Sequence, residues 1–174
     1  MTRVKVWDAW VRLTHWTVAG IVLWNLFGPT DSVHRLLGYA AAFLVAARLV
    51  WGFIGSQYAR FSAWWPTGSH LREYVRSLVD GTPLHHVSHN PLGALMALLL
   101  WLLIIALGVS GWIMRLDAFW GEDWPQEIHT WLSIALEVCV CVHIAAAVLM
   151  SVWTRENLIK AMVTGYKRIG KMSR

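Results

Sequence analysis

Charge is scarce in this sequence. Asp, Glu, Lys and Arg make up 14% of the 174 residues, while 57% are hydrophobic. A soluble domain carries roughly a quarter of its residues as charges, so an ordinary soluble fold is excluded and a polytopic membrane protein is indicated. Cysteine is nearly absent: Cys139 and Cys141 are the only two. Two positions apart on a helix they diverge by about 200°. They share no metal site and read as small buried apolar residues. No C-x-x-C-H occurs, which excludes covalent c-type haem attachment. The first apolar run lacks a small-residue cleavage site and is expected to stay as an anchor. The net charge of +5 sits in loops and at the two ends of the chain, where it reports topology rather than nucleic-acid binding.

Four apolar runs remain. The expected fold is all-α, an integral membrane four-helix up-and-down bundle forming one domain over 1–174, with spans at about 10–27, 33–53, 91–114 and 127–153. Gly28-Pro29 breaks the first run. Thr30-Asp31-Ser32 offers cap chemistry to the second, and Asn90 with Pro91 opens the third. Between the second and third lies HLREYVRSLV, with Leu71, Tyr74, Val75, Leu78 and Val79 at helical spacing. It reads as an amphipathic helix on the cytoplasmic membrane surface. The basic tail, with Arg155, Lys160, Lys167, Arg168, Lys171 and Arg174, reads as another surface helix, and the start MTRVKVWDAW as a basic, aromatic entry into the first span.

Lys and Arg counts orient the bundle. The short loops at 28–33 and 115–126 hold only Arg115, with Arg35 just inside the second span; the other thirteen lie at the ends of the chain, in 54–90, or at Arg48 near that side. The positive-inside rule then places both termini in the cytoplasm of a bacterial inner membrane. Trp7, Trp10, Trp64 and Trp65 on one side, and Trp112, Trp120 and Trp124 on the other, read as aromatic belts.

Orientation gives each membrane histidine a depth. His129 and His143 share a helix fourteen residues apart, about 21 Å along its axis and within about 40° of one face. His34 lies at the outer depth of His129, and His15 at the inner depth of His143. Imidazole is a haem-iron ligand, and ionisable groups inside a membrane mark functional sites. The pairs His34/His129 and His15/His143 therefore predict two stacked haem sites with protein ligands on both faces of each iron, an arrangement suited to electron transfer. Arg48 near the inner site, and Arg35 and Arg115 near the outer, are candidate propionate partners. Glu137, about 80° off the haem face, reads as a protonated, hydrogen-bonded acid. His70, His85 and His86 read as solvated loop residues.

The segments VWDAWVRLTHW, RLVWGFIGSQYARF, HNPLG, IHTWL…CVHI and ENLIKAM resemble the bacterial cytochrome b561 family, which includes the cytochrome b subunit of Ni-Fe hydrogenases. The resemblance runs over nearly the whole chain. It implies a four-helix membrane cytochrome with two haems b that exchanges electrons with the quinone pool, and its ligand histidines match His15, His34, His129 and His143. Arg12, Trp16 and His89, with Arg48, mark a candidate quinone site near the inner haem. The expected function is electron transfer between quinone and a periplasmic redox partner, such as a c-type cytochrome. Short outer loops make a hydrogenase the less expected partner. The alternatives are a superoxide oxidase passing electrons to quinone, or a membrane scaffold without redox chemistry. Asp117, Glu122 and Asp123 against Arg115 give the outer face a negative balance that suits a basic partner better than an anion such as superoxide.

Overall fold

The computed structural model describes residues 2–84 and 86–169; His85, Lys171 and Arg174 lie outside them. Along the chain come strand β1 (Thr2–Lys5), helices α1 (Ala9–Phe27), α2 (Ser32–Ile54), α3 (Gly68–Val79), α4 (Pro91–Ile113), α5 (Trp124–Trp153) and α6 (Leu158–Thr164), and strand β2 (Tyr166–Ile169). Short polar side chains start these helices by accepting hydrogen bonds from backbone N–H groups that have no partner within the helix. Asp8 Oδ1 accepts from Val11 N at 2.8 Å to open α1. Asp31 Oδ1 accepts from Val33 N and His34 N at 2.8 and 3.1 Å to open α2. Asn90 Oδ1 accepts from Gly93 N at 2.7 Å to open α4, and Asn157 Oδ1 does the same for Lys160 N at 2.7 Å in α6. Helix α5 begins at Trp124, three residues before the expected Glu127. Pro125 is compatible with a first turn, where a missing N–H costs nothing.

Three of the described helices, α2, α4 and α5, are long and apolar enough to cross a membrane. At 19 residues α1 is not among them; Arg12, Thr14 and His15 in its first two turns dilute its apolar character.

The chain divides into two compact units. The first comprises Leu13–Leu49 and Leu98–Val142; the second comprises Met1–Arg12, Val50–Ala97 and His143–Arg174. In the first, Ile21 and Val22 of α1, Ala41 and Val45 of α2, Leu103 and Ile104 of α4, and Leu136 of α5 form one buried cluster. Between membrane helices, close packing replaces exclusion of water as the source of attraction. Gly108 shows how tight it is: a Cβ there would stand 2.8 Å from the Cβ of Ala42.

The second unit is organised differently from the sequence expectation. Its core is Val6, Trp7, Val11 and Ala59, packed by Val4, Trp51, Tyr58, Val87 and Met162. The N-terminal arm begins as a strand, and the tail is a seven-residue helix followed by a strand. The two strands pair antiparallel, Thr2 opposite Ile169 through Lys5 opposite Tyr166. Gly165, at φ +86°, turns the chain from α6 into β2, and its carbonyl accepts from Val6 N and Trp7 N at 2.9 and 3.1 Å. The alternation of Arg3 and Lys5 with Val4 and Val6 is the period-two pattern of a strand.

Helix α3 forms where expected, and of the apolar residues at helical spacing Tyr74 is buried and Leu71 and Leu78 half-buried. Tyr74 and Ser77 are buried, whereas Val79 is 83% exposed. Ser77 Oγ donates to Tyr74 O and accepts from Leu84 N, a polar tie on that same side. Trp7 and Trp64, expected as interfacial anchors, are buried. Cys141, expected to be buried, is exposed on α5.

Asp8 also ties α1 to α2: its Oδ2 accepts from Trp51 Nε1 at 3.0 Å and from Ser56 Oγ at 2.6 Å. Asp8→Ala removes a cap and leaves two donors without their acceptor. It is expected to lower stability by about 2 kcal/mol, read as a lower midpoint in tryptophan-fluorescence melts in detergent, with Asp8→Asn in between, since its amide keeps only one acceptor oxygen. An unchanged midpoint in the alanine variant would remove the carboxylate from this role.

Lys167 is a second tie. Its buried ammonium donates to His86 O and Ser88 O, both at 3.2 Å, and lies 4.0 Å from Glu156. Burial holds its pKa below 10.5, against the opposing pull of Glu156. The folded chain therefore loses this proton before the unfolded chain does. Between the lowered value and the ordinary one the unfolded state binds more protons, so this contribution to stability rises with pH across that alkaline window. Melts across it should show the midpoint increment from this group, and Lys167→Met should abolish the increment. Equal slopes in the two proteins would contradict it.

Candidate haem-binding site

Within the first unit, His34 and His129 come together. The Asp31 cap sets His34 in the first turn of α2, and its carbonyl accepts from Asn25 Nδ2 of α1 at 3.0 Å. His129 lies in the second turn of α5. The two imidazole centroids are 6.3 Å apart, with ring planes inclined at 61°. A metal–imidazole bond is about 2 Å, and a ring nitrogen lies about 1.1 Å from its centroid. Two imidazoles on opposite sides of one iron would thus place their centroids about 6.2 Å apart. Rotation about the shared axis leaves the angle between the ring planes free. The donor set fits a bis-histidine haem.

The surroundings of the two rings differ. His129 Nδ1 is 2.9 Å from Ser110 Oγ on α4, and the same hydroxyl donates to Leu107 O at 3.1 Å. His34 Nδ1 is buried with no hydrogen-bond partner among the described residues. From the sequence, Ser110 reads only as one of the small residues that allow close helix approach. Its hydroxyl contact with His129 depends on register between α4 and α5, which no local pattern encodes. The role of Asn25 had a signal: a lone amide inside an apolar run.

His15 on α1 is half-buried and meets Trp16 edge-on at 5.0 Å. His143 on α5 is half-buried and belongs to the other unit. The inner pairing is carried by the sequence alone.

Arg48 is buried, 5% exposed, with its guanidinium 5.2 Å from the Trp101 ring centroid. That contact is a cation–π pair inside the unit, not a side chain reaching for the interface. Arg35 and Arg115 are exposed, as is Glu137 midway along α5.

The three candidate quinone residues have separate surroundings. Trp16 is exposed. Arg12 Nη1 donates to Val163 O at 2.6 Å. His89 is held between Trp7 and Trp64, each ring 4.8 Å away. Aromatic packing around a histidine explains why these two tryptophans are buried rather than lying at the interface. His70 is exposed, but His86 stands edge-on to Tyr74 at 5.3 Å and so is not a purely solvated loop residue.

Comparison with known proteins adds independent information. The family model described as prokaryotic cytochrome b561 matches residues 6–165. A relative from Azotobacter vinelandii, named a probable Ni/Fe-hydrogenase B-type cytochrome subunit, is 27% identical over 95% of this chain and 89% of its own. Proteins of the same name from Bradyrhizobium diazoefficiens and Rhizobium leguminosarum bv. viciae are 25% and 28% identical, over 95% and 93% of this chain and 86% and 87% of theirs. No solved structure matches. A family match across nearly the whole chain agrees with the apolar helices and with a histidine pair spaced for haem iron: the chain belongs to the prokaryotic cytochrome b561 family and is a b-type membrane cytochrome of electron transfer.

Proposed function

We propose that this cytochrome carries two haems b and moves electrons across the bacterial inner membrane between the quinone pool and a redox protein at the outer face. The observation that carries this reading is the 6.3 Å spacing of His34 and His129. Haem iron supplies reversible one-electron chemistry. The protein's part is to hold it: His34 and His129 bind one iron, and His15 with His143 bind the second, as their depths in the sequence indicate. Protein nitrogens on both faces of an iron leave no open position, which favours electron transfer over oxygen binding. Arg48 is held near the inner end of α2, where its positive charge suits a propionate. His89, fixed between Trp7 and Trp64, and Arg12 are the proposed polar contacts for a quinone head group on the cytoplasmic side. Helices α1, α2, α4 and α5 then form the four-helix bundle, with both termini in the cytoplasm and α3 on that surface.

A pyridine haemochrome assay with protein quantitation is expected to give two haems per chain. It should give one in His34→Ala or His129→Ala. A count of one in the wild type would leave no place for the second pair.

For the partner, the names of the relatives reverse the order of expectation. Each of the relatives described above is called a hydrogenase cytochrome subunit, so a hydrogenase is the first partner to test, ahead of a c-type cytochrome. The outer loop carries exposed Asp117, Glu122 and Asp123, with Trp120 89% exposed beside them. This favours a protein with a basic face over superoxide. Electrostatic attraction of that kind acts on encounter rate and is screened by salt, with a Debye length of about 8 Å at physiological ionic strength. Electron transfer with the partner should slow as salt rises, and slow again in Glu122→Lys/Asp123→Lys. A faster rate after charge reversal would point to an anionic reactant instead.

A further inference from the structure

Two imidazoles that share one iron are usually treated as equivalent, yet here their outer nitrogens have different surroundings. Ser110 Oγ carries one proton, and that proton goes to Leu107 O at 3.1 Å. Towards His129 Nδ1, 2.9 Å away, the hydroxyl therefore offers a lone pair. With Nδ1 as the protonated nitrogen of that ring it donates to this lone pair, and Nε2 keeps the pair of electrons that a metal needs. Ser110 is 5% exposed, so water does not compete for this contact. A back-bonded serine in the last turns of a helix is held by its own backbone, which fixes the acceptor rigidly on α4. His34 has no counterpart: its Nδ1 is buried with no hydrogen-bond partner among the described residues.

We propose that Ser110 is a positioning residue that fixes the tautomer and orientation of His129 and, through that one ligand, lowers the reduction potential of the outer haem. The proposal rests on His34 and His129 binding one iron. A hydrogen bond accepted from Nδ1–H makes the imidazole a stronger donor, and a stronger donor favours the oxidised, more positive iron. Only the His129 side of the site carries this effect.

Redox titration of the holoprotein, followed by visible and EPR spectroscopy, tests it in Ser110→Ala and Ser110→Thr. In Ser110→Ala the haem count and the low-spin bis-histidine spectrum should persist. The midpoint potential of one haem should rise while that of the other stays fixed. In Ser110→Thr, where the hydroxyl returns, the potential should move back towards wild type. An unchanged potential in the alanine variant, or a threonine variant shifted as far as alanine, would overturn the role of the hydroxyl and leave the haem assignment standing. If alanine instead loses one haem, restoration of haem and potential by threonine supports the role, and failure to restore them overturns it. Should His129→Ala keep every haem and its low-spin spectrum, the assignment of the site itself falls, and the inference falls with it.

Discussion

Hydrocarbon offers no hydrogen bonds, so each polar group that enters a membrane-spanning helix must be answered by another part of the same protein or face water at a helix end. The first unit shows how this constraint builds a site. Asn25, an amide within α1, is spent on the carbonyl of His34. Ser110 is spent on a carbonyl of its own helix and on His129. Arg48 rests against the face of Trp101. These contacts are few, and apart from the Ser110–Leu107 bond each lies between helices. They therefore set register as much as they lower energy, and the spacing of the two imidazoles inherits that register. Gly108, which brings α4 against Ala42, contributes the close approach without which the polar contacts on α4 would stand too far away.

The second unit solves a different problem. It gathers polar and aromatic residues into a small core, beside which two tryptophans pack on a histidine. Asp8, Lys167 and Ser88 join segments far apart in sequence: Asp8 reaches Trp51 and Ser56, Lys167 reaches the carbonyls of His86 and Ser88, and Ser88 Oγ donates to Tyr58 O. Each of these polar side chains is buried or half-buried. Their loss would leave buried donors or acceptors unpaired, which costs more than the bonds themselves contribute. His89, beside this core, is therefore fixed more firmly than a loop position would suggest.

Much of this was legible in the residues. The long helices follow from apolar runs bounded by Asp31, Asn90 and Gly28-Pro29, because capping and breaking are local chemistry. The His34–His129 pair follows from counting lysines and arginines, because charge sets orientation and orientation sets depth. What escaped reading was mostly non-local. A strand of four residues means little without its partner, and the partner of Thr2–Lys5 lies at the far end of the chain. The burial of Trp7 and Trp64 depends on His89, and a tryptophan near a membrane surface carries no mark that separates an anchor from a core residue. In α3, Tyr74 of the expected apolar set is buried, while the part of Ser77 on the same side was not legible, because its hydroxyl contacts depend on where the chain turns after the helix.

The antiparallel pairing of β1 with β2 has a bearing on how the protein is made. The residues that pair with β1, Tyr166–Ile169, come more than 160 positions after it. The unit that contains His34 and His129 is complete once Val142 has been synthesised. The unit closed by the strands has to wait for β2. An order of assembly follows: the unit with His34 and His129 has all its segments while β1 is still unpaired, and the other unit closes only when β2 arrives.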